Sequence, residues 1–216
     1  MPGLYWKVKD FMDEEKIQPN NYIASSDGHI YSVRDSQLGR VVLKANRVPT
    51  IDKVQEGFEF SLPKIPGKML AVAISFFHAY WNEVEQNEAM VRIVFDTQEQ
   101  KYLFDCPEQY VKWDHVHAPY VGKDYPEPRY LDMMHIHSHH VMEAEFSAVD
   151  DEDEQKYRLY VVVGNMRATV PDVKVRVGHG GAFFYLPVDY IFESPNLMTE
   201  KVSYPAEWDQ RVNVVK

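Results

Sequence analysis

Residues 130–166, YLDMMHIHSHHVMEAEFSAVDDEDEQKYRLYVVVGNM, contain the pattern that decides the fold. YLDMMHIHSHH is compatible with a strand, and RLYVVVGNM is typical of a buried strand because it is a short apolar run rich in β-branched residues. Between them, an acidic segment that follows Ser147 predicts the start of a helix. The stretch therefore predicts a strand, a helix and a second strand.

The same stretch contains candidate metal ligands. Residues two apart on a strand point to the same face, so His137 and His139 can approach one ion while Ser138 points away. Asp150 follows His139 by eleven residues, and a turn into the helix would bring it back to the histidines. Two histidines, one aspartate and a water molecule form the usual arrangement of a catalytic zinc site, with one position left open.

Each part of this pattern also has a simpler interpretation. The histidines are compatible with a surface cluster that binds metals only adventitiously. Asp150 is compatible with a solvated acidic residue near a helix start, where the helix dipole favours carboxylates. Ser147 and Asp150 together match a helix-capping arrangement. The joint spacing is what favours a metal site.

The spacing His137-Ser138-His139, seven residues, Ser147, two residues and Asp150 resembles the signature of the JAMM (JAB/MPN) metalloproteases. The longer string HIHSHHVMEAEFSAVDDEDE followed by RLYVVVGNM is similar to bacterial and phage-type members, some of which are encoded beside ubiquitin-like proteins. The resemblance covers residues 66–190 and is weak over the first 60. It implies zinc bound by His137, His139 and Asp150, and a serine, Ser147, that stabilises the tetrahedral intermediate.

The resemblance also implies a catalytic glutamate between the first long helix and the next strand. Glu88 occupies that position, with Glu83 and Glu85 as competitors that are also typical of exposed residues at a helix end. Two departures from the family pattern are present. His140 replaces the usual proline after the second histidine, and VRIVFD replaces a glycine-rich strand.

The implied fold is α/β, of the JAB/MPN (cytidine-deaminase-like) type: a mixed, mainly antiparallel sheet flanked by helices. KMLAVAISFFHAYWNEVEQ (68–86) predicts a buried helix of about four to five turns, because its apolar residues recur at helical spacing. AMVRIVFD, KYLFDC and KVRVGHGGAFFYLPVDYIFE predict further strands, the last with a turn at Gly180-Gly181. Residues 107–130, which are rich in proline, predict an irregular segment.

The sequence of residues 1–60 predicts a small β-rich region of unknown role. Residues 61–216 are expected to form the metalloprotease domain that the resemblance implies. Short apolar runs after residue 20 favour antiparallel strands with turns at Asp27-Gly28 and Gly39. A length of 216 residues suits one domain with an extension, or two small ones.

Composition excludes several classes of function. A net charge of −10 without any basic run argues against nucleic acid as a partner. Cys106 is the single cysteine, which excludes a disulfide framework and fits a reducing, cytoplasmic location. Neither a signal peptide nor a stretch of about 20 apolar residues is present, so no membrane association is expected.

The resemblance implies hydrolysis of an amide or isopeptide bond after the C-terminal tail of a ubiquitin-like protein, in a conjugate or a precursor. A non-catalytic MPN scaffold is the alternative. A deaminase-like zinc enzyme is disfavoured because it needs a Pro-Cys-x-x-Cys element. The sequence leaves the oligomeric state open.

Residues 107–130 are a candidate docking surface for the substrate, or a loop whose aromatic residues pack on the domain; the aromatics are Trp113, Tyr120, Tyr125 and Tyr130. His135 and His140 flank the ligands and are candidate supporting residues. His78 is expected to be a core or semi-buried residue, and His179 is expected in a turn. His115 and His117 lack an acidic partner for a second metal site.

Overall fold

The computed structural model describes residues 2–16, 18–81, 86–119 and 124–215, and the chain divides into two units after Gln55. The sequence predicts a division after residue 60, whereas in the structure residues 56–60 belong to the second unit. No helix within the described ranges is long and apolar enough to cross a bilayer. Helix Gly67–Tyr80 has 14 residues, which rise about 21 Å, whereas the hydrocarbon core is about 30 Å thick.

The first unit is built on short strands, as its sequence predicts. Its elements are β1 (Gly3–Tyr5), α1 (Val8–Met12), β2 (Asn20–Ala24), β3 (Ile30–Ser36) and β4 (Gly39–Lys44). β2, β3 and β4 are antiparallel neighbours, and β1 pairs parallel with β2. The predicted turns are confirmed: Gly28 and Gly39 have φ of +79° and +130°, which glycine adopts without steric cost. No strand forms between residues 45 and 60.

The second unit contains the elements of the predicted metalloprotease region. In chain order they are β5 (Ile65–Pro66), α2 (Gly67–Tyr80), β6 (Met90–Asp96), β7 (Lys101–Asp105), β8 (Gln109–Lys112), β9 (His115–His117), β10 (Tyr130–Ser138), α3 (Ala148–Asp153), β11 (Arg158–Gly164), β12 (Asp172–His179), β13 (Ala182–Leu186), α4 (Val188–Ile191), β14 (Phe192–Glu193), two 3-10 turns (Pro195–Thr199 and Ala206–Arg211) and β15 (Val212–Val214).

A six-stranded sheet in the order β13-β12-β11-β10-β6-β7 forms the centre of this unit. Within it, β10 and β11 are parallel, and the other neighbouring strands are antiparallel. The protein is therefore an α/β protein with a mixed, mainly antiparallel sheet, as predicted. The strand, helix and strand predicted for residues 130–166 correspond to β10, α3 and β11.

The two faces of the sheet differ because side chains alternate along each strand. On one face, buried apolar residues pack against α2 and the C-terminal turns in one cluster, which includes Ala89, Val91, Ile93, Met134, Ile136, Leu159, Val161, Val163 and Val175. The intervening residues, such as Arg92, His137 and Arg176, are buried on the opposite face. The apolar face anchors the sheet, and the polar face carries the candidate site.

Helix α2 is shorter than its sequence pattern predicts. It ends at Tyr80, and Trp81 is extended and forms a bridge with Gln86, while the Asn87 N–H donates to the Tyr80 carbonyl. This reversal leads the chain directly into β6. His78 was expected to be a core or semi-buried residue. It does not lie in the core, because the buried stripe of α2 runs through Leu70, Ile74 and Phe77. Partial burial nevertheless lowers the pKa of His78.

The prediction of an irregular segment for residues 107–130 was wrong in part. β8 lies between β9 and β15 in a three-stranded sheet, and β15 comes from the C-terminal end of the chain. Pro107 and Pro119 flank these strands and do not interrupt them. A partner strand about a hundred residues away leaves no local signal, which is why the pattern of prolines misled the prediction.

The apolar face should dominate the stability of the second unit. Ile136 is fully buried in β10, so Ile136→Ala is expected to lower the free energy of unfolding by about 2–5 kcal/mol through lost burial and the cavity left behind. Leu131→Ala, on the same strand at a position that is 39% exposed, is the matched control and should cost much less. Urea unfolding measures both. Equal losses would contradict this description of the core.

Candidate metal centre

The end of β10 presents His137 and His139 side by side. The His139 N–H donates to the Val163 carbonyl at 2.8 Å, which keeps the chain extended beyond Ser138. Both imidazoles therefore lie on the polar face, each residue 6% exposed, with their Nε2 atoms 3.1 Å apart. Burial lowers the pKa of His137, against the opposing effect of Asp150. The neutral imidazole is the form that binds metals.

Ser138, between the histidines, holds β10 against the residue that precedes β6. Its Oγ accepts a hydrogen bond from the Ala89 N–H at 3.0 Å, and its own N–H donates to the Ala89 carbonyl at 3.0 Å. These bonds fix the position of the neighbouring residue, Glu88, whose N–H donates to the Lys112 carbonyl in β8 at 2.9 Å. The middle residue of the His-Ser-His motif thus links the strand with the candidate metal ligands to the candidate general base.

Asp150 returns to the histidines from the first turn of α3. Its Oδ1 lies 3.3 Å from Nε2 of His137, and its Oδ2 lies 3.5 Å from Nε2 of His139. Burial acts to raise the pKa of Asp150, but hydrogen bonds with His137 and His139 outweigh it, so the pKa lies well below its ordinary value. The carboxylate is therefore ionised, as a metal ligand must be.

Ser147 caps the helix that carries Asp150. The Asp150 N–H donates to Ser147 Oγ at 3.2 Å, and the Ser147 N–H donates back to Oδ2 of Asp150 at 2.6 Å. The Ser147 hydroxyl also donates to Oδ2 at 2.7 Å. The capping interpretation of Ser147 is confirmed, and the cap orients the carboxylate toward the histidines.

The three ligand atoms can hold a metal ion. They lie within 4.8 Å of one another, and the group His137, His139 and Asp150 is the only one of its kind within the described ranges. Ligands about 2.0–2.1 Å from a tetrahedral zinc ion are separated by about 3.3 Å. The closest separations between pairs of ligand residues here are 3.1, 3.3 and 3.5 Å. The two distances to Asp150 involve different oxygens of its carboxylate, Oδ1 and Oδ2. The three residues can therefore hold a metal ion, and the set is compatible with zinc.

Glu88 lines the same cavity as the three ligand residues and is 5% exposed. Burial, with a contribution from the charges of Asp150 and Asp114, raises the pKa of Glu88 to about 8. A carboxyl with a pKa near neutral pH suits a group that accepts and returns a proton. Glu83 and Glu85, the competing candidates, lie outside the described residues.

The cavity has a volume of about 410 Å³. Its floor is the polar face of β6, β10 and β11, and its sides are the β8–β9 hairpin and α3. The sheet edge at β9 lies along one side. The cavity is therefore a cleft beside the candidate metal ligands His137, His139 and Asp150, called the metal group below.

Glu154 and Arg176 form a network of contacts beside His137 that the sequence did not predict. Oε1 of Glu154 lies 4.0 Å from Nδ1 of His137, and Arg176 donates to Oε2 of Glu154 through Nε at 2.9 Å and Nη2 at 2.6 Å. The guanidinium of Arg176 lies between the rings of Phe146 and Phe183, 3.7 and 3.6 Å from their centroids. These residues pack beside Nδ1 of His137, the ring nitrogen that does not face Asp150 and His139.

The loop after His139 is also fixed by close packing. The Asn165 N–H donates to the Met142 carbonyl at 2.6 Å, and the Met166 N–H donates to the His140 carbonyl at 2.7 Å. A Cβ at Gly164 would lie 2.4 Å from the Ala144 nitrogen, so only glycine allows this approach. The backbone that follows the second ligand is therefore held against the end of β11.

The flanking histidines make their contacts away from the ligands. His135 contacts Asp132 and Arg158, and His140 bonds the Trp113 carbonyl on the hairpin. Of the candidate docking aromatics, Trp113 is 65% exposed, whereas Tyr125 and Tyr130 pack against each other. Tyr120 lies outside the described residues. His115 and His117 stack on each other beside the cleft.

Comparison with known proteins adds no assignment: neither a family model nor a curated protein matches the chain. The interpretation of the site therefore depends on its geometry and on the spacing of its residues.

From the raised pKa of Glu88 we predict how the free energy of unfolding of the metal-free protein depends on pH. Because the folded state holds the proton up to a pH of about 8, while an unfolded Glu releases it near pH 4.3, stability should fall as the pH rises between these values. Glu88→Gln removes the titrating carboxyl group. The free energy of unfolding of this variant should therefore depend less on pH between 5 and 8 than that of the wild type. Urea unfolding at several pH values measures the difference.

Glu108→Gln, a change at an exposed site, is the matched control and should follow the wild type. An identical pH dependence for Glu88→Gln and the wild type would show that Glu88 is not buried in this way.

Proposed function

We propose that this protein is a zinc-dependent peptidase of the JAMM type, which hydrolyses an amide or isopeptide bond. The observation that carries the proposal is the convergence of His137, His139 and Asp150, whose ligand atoms lie within 4.8 Å of one another, with the buried Glu88 in the same cavity. The signature spacing that these residues share with the JAMM family supports it independently.

The chemistry of the donor set favours zinc over other metals. Two imidazoles and one carboxylate with an open position are typical of catalytic zinc, whereas calcium and magnesium take oxygen ligands. Bound zinc supplies a Lewis acid that makes water more acidic and polarises a carbonyl group.

In this proposal Glu88 moves the proton. Its carboxylate accepts a proton from the attacking water and then delivers it to the leaving amine, acting first as general base and then as general acid. Its burial between β8 and β10 keeps it in one place and gives it a pKa near neutral pH. Removal of the carboxylate should therefore reduce the rate without emptying the metal site.

Ser147 has two roles in the proposal. Its hydroxyl caps α3 and, when the substrate is bound, donates to the carbonyl oxygen on which negative charge grows. The Asp150 backbone N–H and carboxylate keep the serine side chain beside the ligand set. Phe146 and Arg176, which pack behind the site, keep the position of His137 fixed.

The proposed substrate is a ubiquitin-like protein, cleaved after its C-terminal tail in a conjugate or a precursor. An extended tail suits the cleft, because β9 is an edge strand whose residues line it and offers unpaired backbone groups for a further strand. Exposed Trp113, on the hairpin beside the cleft, is the proposed contact for the tail or for the body of the substrate.

The experiment combines zinc content with cleavage of ubiquitin-like fusion proteins. Glu88→Gln should keep close to one zinc per chain and lose about 10²–10⁴-fold in kcat, because general acid–base catalysis contributes about that much. His137→Ala should lose both zinc and activity. Glu108→Gln, an equivalent change on the exposed surface, serves as the control.

Full activity in Glu88→Gln would exclude Glu88 as the proton carrier. Wild-type protein that binds zinc but cleaves no ubiquitin-like fusion would favour the alternative, a non-catalytic scaffold.

A further inference from the structure

The floor of the cleft continues from the metal group toward two buried arginines. Arg92 on β6 is directly opposite His135 on β10, and Arg158 on β11 contacts the same histidine. The arginines are 6% and 9% exposed, and both line the cleft. At the other end of the cleft, by contrast, the ionised carboxylate of Asp150 supplies negative charge.

A β-bulge shapes this part of the floor. The register between β10 and β6 shifts between Asp132 and Met134. Without that shift, regular alternation would place Asp132 on the face opposite His135. Instead, Oδ1 of Asp132 lies 3.2 Å from Nε2 of His135, and its Oδ2 lies 2.9 Å from Nη1 of Arg158.

The charges of this cluster do not balance. Asp105 pairs with two arginines, Arg92 Nε at 2.8 Å and Arg211 Nη1 at 3.0 Å, and Asp132 pairs with Arg158. Three guanidinium groups therefore share two carboxylates, which leaves an excess positive charge, and two of the three arginines are buried.

Arg158 also has hydrogen-bonding capacity that the protein does not use. Its Nε is buried and, within the described ranges, has no hydrogen-bond partner. A buried donor without a partner is destabilising, and for a charged group the cost is higher still. Arg158 lines the cleft, and a guanidinium with an unused donor is the kind of group that binds an anion.

Strand geometry sets the distance between this cluster and the metal group. His135 precedes His137 by two residues on β10, which corresponds to about 7 Å along a strand. An extended peptide in the cleft advances by the same amount over two residues. A charged group at that point would lie about two residues from the bond held at the metal.

We propose that Arg158 and Arg92 form a subsite that binds a carboxylate of the substrate about two residues from the scissile bond. This inference rests on the proposed zinc peptidase function and narrows its substrates to chains with an acidic side chain, or a free C-terminal carboxylate, at that position. The planar guanidinium groups match the geometry of a carboxylate.

The test uses three peptide hydroxamates of equal length, in which the hydroxamate anchors on zinc. One has a free C-terminal carboxylate two residues from the anchor, one has a glutamate side chain there with an amidated end, and the neutral reference has glutamine and an amidated end. At least one acidic probe should bind zinc-loaded wild type about tenfold to a hundredfold more tightly than the reference. The probe that does so identifies the source of the carboxylate.

Arg158→Gln should abolish the preference, with zinc content and circular dichroism showing that the variant is loaded and folded. Arg92→Gln is the second variant in case Arg158→Gln does not fold. Equal affinity of all three probes for the wild type, or a preference that survives in the folded variant, would overturn the subsite. Wild type that binds no zinc would instead refute the proposed function, and the subsite with it.

Discussion

The parallel pairing of β10 with β11 is the constraint on which the rest of the site depends. Two parallel neighbours cannot be joined by a tight turn, so the chain needs a crossover of a dozen or more residues between them. That crossover contains α3, and the first turn of α3 carries Asp150 back to the end of β10. Asp150 follows His139 by eleven residues in the sequence. It lies close to the histidines in space because the crossover returns the chain to the end of β10.

Because side chains alternate along the central strands, the apolar residues that stabilise the fold lie on one face of the sheet and the candidate site lies on the other. Ala89, Val91 and Ile136 bury one face against α2, which leaves the opposite face free to carry charged groups. Several of these groups are stabilised there by partners: Arg176 contacts Glu154 between two aromatic rings, and Asp150 is held by Ser147 and the histidines. Burial raises the pKa of Glu88 to about 8, so this carboxyl can exchange a proton near neutral pH.

Much of the site follows from local rules. The two-residue spacing of His137 and His139 predicts a shared face, and the Ser147-x-x-Asp150 spacing predicts the cap that the structure contains. What local patterns miss depends on distant partners. Arg176 lies on a strand beyond the motif, and β8 is held by a strand from the C-terminal end. Alternation likewise assigns Asp132 to the wrong face, because nothing in YLDMMHIHS marks the bulge.

X-ray absorption spectroscopy of the zinc-loaded protein tests the central claim most directly. We expect two imidazole nitrogens and oxygen donors at about 2.0–2.1 Å, no sulfur ligand, and loss of this zinc signal in His139→Ala. A first shell that contains sulfur from Cys106, or one that His139→Ala leaves unchanged, would contradict the assignment of His137, His139 and Asp150 as the metal centre.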